Sequence, residues 1–229
     1  QEVADEVARV RSKLGLRDEI IGIGIERFDY TKGIPDRLRA IDRFFEKNPQ
    51  YLRKMVFIQA GVSSRIHIDA YKSLNKDIES LVEDINWKYG SEWWKPVILW
   101  RESLSQLTLL ALRRMAHFCI VSSLHDGMNL VAKEFVASSV DQRGALILSE
   151  FTGASRELSD AVMVNPYDTD HFAEAIKAVL EMPASERQRR MSRMQAVVQE
   201  NNIYKWAADI VTEMVKLEFG GMIGAPAPV

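Results

Sequence analysis

The chain has 229 residues, 47% of them hydrophobic, which is enough to close a full core and argues against a disordered or fibrous protein. With 30 basic against 32 acidic residues the net charge is −2, so no global field draws in nucleic acid or an anionic membrane, and any phosphate recognition must be local. One cysteine and four scattered histidines exclude an internal disulfide framework and a zinc cluster of the usual spacing.

The longest apolar runs are too short to span a bilayer and no charged-then-apolar leader opens the chain, so a soluble, cytoplasmic protein is expected. A start at Gln1, on a charged amphipathic helix, is expected of a piece of something larger.

In chain order, Val3, Val7, Val10 and Leu14 recur at helical spacing, and Gly15 ends that helix. Residues 19 to 26 (EIIGIGIE) read as a central strand with two positions lacking a side chain. The glycine pair fails the dinucleotide fingerprint, because it lies inside the strand and has no third glycine, so no nicotinamide cofactor is expected. The turn Arg27 to Gly33 follows, and Pro35 opens a helix whose apolar face includes Leu38, Ile41 and Phe45.

The plan then repeats. Met55 to Ile58 form a strand, Gly61 to Arg65 a loop, and Tyr71, Leu74, Ile78, Leu81, Val82 and Ile85 the face of a long helix. Val97 to Trp100 form a third strand, after which Ser103 and Gln106 have capping-box spacing ahead of a helix with Leu104, Leu107, Ala111 and Met115 inward. Cys119 to Val121 make a fourth, Ala145 to Leu148 a fifth and Ala161 to Val164 a sixth. Three helices finish the chain, the last carrying Ile203, Trp206, Ala207, Ile210, Met214 and Leu217 on one face, and residues 220–229 read as a flexible tail.

Strands alternating with helices imply parallel pairing through right-handed crossovers, hence an α/β, Rossmann-like parallel six-stranded sheet with helices on both faces, over residues 1–219. In such a sheet the loops at the carboxyl ends of the strands face one crevice. Three of them carry polar residues: Arg27 to Gly33, Ser63 to Arg65, and Ser122 to Asn129.

The stretch from Cys119 to Phe135 organises the rest, since a buried strand breaks there into a glycine turn that feeds a helix and leaves N–H groups pointing into the crevice. Arg27 and Lys32, five residues apart across a turn ending in glycine, suit a diphosphate, because Arg offers a planar fork and Lys a mobile point charge. Taken alone, such a pair is more often two solvated surface cations. On a helix Asp126 and Glu134 would lie on neighbouring parts of one face; taken alone, Asp126 reads equally as an N-cap and Glu134 as a solvated residue. Lys133 reads as a surface charge, and His125 as a structural loop histidine or a donor to a ligand oxygen.

The segments ERFDYTKGI (26–34), Ser63-Ser64-Arg65, DGMNLVAKE (126–134) and Asn165-Pro166-Tyr167 together resemble, in the same order, the carboxyl-terminal half of trehalose-6-phosphate synthases. The resemblance covers about residues 19 to 217 and implies one half of a GT-B glycosyltransferase. That family moves glucose from UDP-glucose to glucose-6-phosphate with retention at the anomeric carbon, giving trehalose-6-phosphate without a metal or other cofactor.

Carried over residue by residue, the resemblance implies that Arg27 and Lys32 grip the donor diphosphate and stabilise the UDP leaving group. Asp126 would hydrogen-bond the donor glucose, with Gly127, Met128, Asn129, Leu130 and Val131 lining the donor site. Glu134 would hold the ribose hydroxyls, and Arg65 would meet the acceptor phosphate. His125 stands where the family commonly has Arg, which weakens any fixed positive charge there.

The resemblance implies that an amino-terminal acceptor domain is missing from this chain, so UDP-glucose, glucose-6-phosphate and that domain are the expected partners, with self-association of the face it would cover. Two alternatives remain from the motifs: another phosphorylated acceptor such as glycerol phosphate, or a non-catalytic module that binds a nucleotide sugar.

Overall fold

A computed structural model describes residues 1–63 and 67–220. The elements in order are α1 (Glu2–Lys13), β1 (Ile20–Ile25), α2 (Ile34–Lys47), β2 (Met55–Ala60), α3 (Asp69–Tyr89), β3 (Val97–Trp100), α4 (Gln106–Met115), β4 (Phe118–Val121), α5 (Leu130–Ser138), β5 (Ala145–Ser149), β6 (Val162–Val164), α6 (Thr169–Glu181), α7 (Ala184–Glu200) and α8 (Ile203–Gly220). All six expected strands are present, and every pairing is parallel. Their order is β3-β2-β1-β4-β5-β6, which is the doubly wound arrangement. Its order reverses between β1 and β4, where Gly22 pairs with Phe118 and Ile23 with Cys119.

The strands are near-continuous apolar runs because both faces of the sheet are covered. Helix α2 packs against α3 and α6, while α1 packs against α4, and α5 against α4 and α7. Ile21, Ile23, Phe57, Ile58, Ile120, Ile147 and Leu148 are fully buried at the centre of one continuous core. Cys119 behaves as a small apolar residue of that core: burial, reinforced by the charge of Glu26, pushes its thiol up to about 12.

Two glycines shape the switch point. At Gly24 a β-carbon would collide with the buried Arg37 guanidinium, so the missing side chain makes room for a charge inside the core. Gly33 has φ 60° and lies against the Ser122 carbonyl, which lets the chain turn sharply from the β1 loop into α2.

The structure departs from the sequence reading at helix starts and in one helix face. Helix α4 is capped by Ser105, whose Oγ accepts from the Thr108 N–H at 3.1 Å, and not by Ser103. Helix α5 begins at Leu130, so Asp126 precedes it and shares no helical face with Glu134. The cap is Asn129, held at φ 69°, whose side chain offers the helix an acceptor that Asp126 spends elsewhere. Helix α8 has the expected apolar period but exposes it: Ile203, Trp206 and Met214 are 66%, 50% and 60% accessible. That helix runs to Gly220, and the remainder of the expected tail lies outside the described residues. No described helix is long and apolar enough to cross a membrane.

Candidate active site at the strand-order switch point

The loops that follow β1 and β4 flank the reversal in strand order and are stitched together there. The Leu124 N–H donates to the Thr31 carbonyl at 2.7 Å, and the Ser122 hydroxyl lies 3.1 and 3.0 Å from the carbonyls of Lys32 and Gly33. Lys32 closes a short 3-10 turn, Tyr30–Lys32. Asp29 builds that turn by accepting from the Thr31 N–H at 3.0 Å and the Thr31 hydroxyl at 2.9 Å, while its second oxygen accepts from Tyr71 Oη at 3.1 Å. Burial works against the Asp29 charge, but these donors and the Lys32 ammonium outweigh it and hold the carboxyl below its ordinary value.

Across the crevice, Lys32 Nζ lies 2.6 Å from Asp126 Oδ2, over 94 residues of sequence. Both side chains are partly open, at 20% and 15% exposure. Asp126 also accepts from Asn129 Nδ2 at 3.1 Å and from the Met128 N–H at 3.3 Å. Burial penalises its charge; the Lys32 bond and charge, the Asn129 amide and the Met128 N–H together overcome that penalty and lower its pKa.

The backbone of Asp126 is pinned from the other side by the loop after β5. Its N–H donates to the Phe151 carbonyl at 3.3 Å and its carbonyl accepts from the Gly153 N–H at 2.9 Å. That loop comes so close that a β-carbon at Gly153 would strike the Gly127 carbonyl, and nothing in the sequence pattern signals the contact.

Asn129 Oδ1 accepts from the Ala132 N–H at 3.0 Å. Among the described residues the N–H groups of Gly127, Leu130 and Val131 have no acceptor. The start of α5 therefore presents free donors and the positive end of the helix dipole beside Lys32 and Asp126. Cation, carboxylate and N–H donors thus lie in one place, a set able to meet an anion that carries hydroxyls.

Arg27 is exposed and makes no hydrogen bond or ion pair among the described residues, and none joins it to Lys32 or Asp126. It lines a cleft of about 300 Å³ together with Gly61, Val62, Leu104, Val131 and Glu134. The structure thus divides the expected residues into a Lys32–Asp126 pair and an Arg27–Glu134 cleft, with Val131 in the wall of the cleft.

Glu134 is not a free helical glutamate. Arg113 of α4, only 9% exposed, pairs with its Oε2 and fixes the carboxylate at the cleft wall. Arg113 had no signal in the sequence beyond a basic residue late in a helix. Lys133, read as a surface charge, instead pairs with Glu157 at 2.8 and 2.9 Å and is 17% exposed. His125 is exposed and makes no hydrogen bond among the described residues. Arg65 lies outside the described residues.

Residues 1–216 match the profile of Glycosyltransferase family 20. The chain is 41% identical over 194 residues to "Alpha,alpha-trehalose-phosphate synthase [UDP-forming] A" of Dictyostelium discoideum, covering 85% of this chain and 26% of that protein.

Among solved structures, "Trehalose-6-phosphate from E. coli bound with UDP-2-fluoro glucose" superposes with a TM-score of 0.85 at 33% identity, over 93% of this chain and 49% of that one. An alpha,alpha-trehalose-phosphate synthase (UDP-forming) from Burkholderia xenovorans, in complex with glucose-6-phosphate, gives 0.85 at 34% identity, over 93% and 49%. The chain therefore spans about half the length of these solved relatives. With the family profile covering residues 1–216 and the doubly wound sheet of a GT-B half, the chain belongs to glycosyltransferase family 20.

Proposed function

We propose that this chain is the donor-binding half of a retaining glucosyltransferase that moves glucose from UDP-glucose to glucose-6-phosphate, giving trehalose-6-phosphate. The observation that carries the reading is the Lys32–Asp126 pair beside the open amino terminus of α5. A donor diphosphate satisfies the Lys32 ammonium together with the Arg27 guanidinium and the N–H groups of Gly127, Leu130 and Val131, which have no partner among the described residues, and it releases Asp126 to accept from a glucose hydroxyl. Glu134, held by Arg113, accepts from the ribose hydroxyls, and the neighbouring 300 Å³ cleft receives the nucleoside. The ligands named for the E. coli and B. xenovorans structures support this choice of donor and acceptor.

As the bond to the anomeric carbon breaks, negative charge grows on the leaving phosphate, where Arg27 and Lys32 stabilise it electrostatically. The phosphate then accepts the proton of the incoming hydroxyl on the same face, which gives retention through an oxocarbenium-like transition state. These side chains supply the positive charge that a metal ion supplies in other phosphate chemistry, so turnover is expected to persist in chelator. Arg65 meets the acceptor phosphate, and an amino-terminal half supplies the rest of the acceptor site in a cytoplasmic enzyme.

The test is glucose transfer by the full-length protein from UDP-glucose to glucose-6-phosphate in EDTA, with Arg27→Ala alongside. The expected result is a product that retains the α configuration and a rate reduced about 10²- to 10³-fold by the substitution. A covalent glucosyl adduct on Asp126, or preferential glucosylation of another phosphorylated acceptor, would overturn the mechanism or the acceptor respectively.

A further inference from the structure

Directly behind the Lys32–Asp126 pair lies a sealed polar cluster that the proposed chemistry does not use. Arg37 of α2 is 0% exposed. Its Nη1 and Nη2 donate to the two oxygens of Glu26 at 2.7 and 2.6 Å, Nη1 donates also to Gln59 Oε1 at 2.9 Å, and Nε donates to Ser122 Oγ at 3.0 Å. Gln59 in turn donates to the Gly24 carbonyl at 3.3 Å. Helix α2, strand β2 and the residues just past the ends of β1 and β4 are tied through one guanidinium.

A buried ionic cluster is a poor source of stability, since a well-packed apolar set of similar volume is often as good or better. Its value here lies in direction. Ser122 is fully buried, and once its oxygen has accepted from Arg37 its single proton is left for the Lys32 and Gly33 carbonyls, at 3.1 and 3.0 Å. The end of β4 therefore grips the backbone of the residue that carries the site's ammonium. The next residues along β4's loop reach Asp126, so one serine fixes the spacing of both partners in the pair.

We infer that Ser122, oriented by Arg37, is a positioning residue that holds the Lys32 backbone so that its ammonium can pass from Asp126 to a donor phosphate without rebuilding the loop. The inference rests on the transferase reading above. It concerns a residue that touches no substrate, and it makes Ser122 act through Lys32.

A double-mutant cycle on the full-length protein tests it, with kcat, KM and thermal midpoint measured for the wild type, Ser122→Ala, Lys32→Ala and the double variant. Ser122→Ala is expected to lower kcat about tenfold, since small displacements of a catalytic group are expensive, while KM for glucose-6-phosphate stays within about twofold. In the Lys32→Ala background the same change is expected to alter kcat by less than about twofold, because the group it positions is gone.

Equal factors in the two backgrounds would mean a merely structural serine and would overturn the inference while leaving the transferase reading intact. A wild-type protein that transfers no glucose would overturn that reading, and this inference with it. Ser122→Cys, similar in volume and a weaker donor, runs the same cycle should the alanine variant not fold.

Discussion

Arg37 and Glu26 meet at 2.6 Å, and so do Lys32 and Asp126, yet the two ion pairs are different devices. The first has side chains 0% and 1% exposed, with both carboxylate oxygens taken and the guanidinium engaged by three residues. No solute can compete for it. The second is 20% and 15% exposed, and Lys32 keeps ammonium protons with no acceptor among the described residues. An incoming anion can take over that lysine at modest cost, because the pair is neither fully desolvated nor saturated. Accessibility and spare hydrogen-bonding capacity, more than distance, separate scaffold from site here.

The sharpest way to break the comparison is to remove each cation. Arg37→Met leaves Glu26 buried without its partner and is expected to cost about 3–5 kcal/mol, read by urea unfolding followed through tryptophan fluorescence. A cost under about 1 kcal/mol would mean that Glu26 finds water or a proton and that the cluster is not sealed.

Lys32→Ala is expected to do the reverse. Stability should change by about 0–1 kcal/mol, while glucose transfer by the full-length protein falls about 10²- to 10³-fold. A large stability loss with little loss of rate would make the outer pair a scaffold as well.

Proton binding sharpens the same contrast. The folded pKa of Asp126 lies below its ordinary value, so the stability it contributes is present above about pH 4, the unfolded carboxylate value, and is lost as pH falls through the folded one. Lys32→Ala should raise the Asp126 pKa, seen as an upward shift in its side-chain carboxyl titration by NMR, and should shrink that acid-labile contribution. An unchanged titration would show that Asn129 and the Met128 N–H, with burial against them, set the value without the lysine.

Much of the architecture was legible because strands buried on both faces are unbroken apolar runs: β1, β2 and β4 read as such, and the strand–helix rhythm implies the parallel sheet. The Lys32 and Asp126 loops stood out as polar, glycine-bearing breaks at strand ends.

What the pattern hid is equally physical. Arg37 falls beside Leu38 in an amphipathic helix, and only Gly24, Glu26 and Gln59 in or beside otherwise apolar strands hinted that a charge was buried there. Whether Asp126 or Asn129 caps α5 depends on a left-handed φ, which either residue type tolerates. For α8, period gave the helix but could not say that Ile203 and Met214 stay exposed in this chain.

The smallest effect concerns that cap. Asn129 performs two tasks from one side chain: its oxygen accepts from the Ala132 N–H, and its amide donates to Asp126. Asn129→Ala removes both and places a residue with a β-carbon at φ 69°, so a loss of about 1–2 kcal/mol is expected in urea unfolding. Asn129→Gly removes the same hydrogen bonds but relieves the backbone, and should cost only a few tenths of a kcal/mol. If the two variants are equally damaged, the side-chain bonds hold the loop, and Asp126 depends on Asn129 as much as on Lys32. If only alanine is damaging, the conformation is what matters, and the Lys32 pair alone keeps the carboxylate in place.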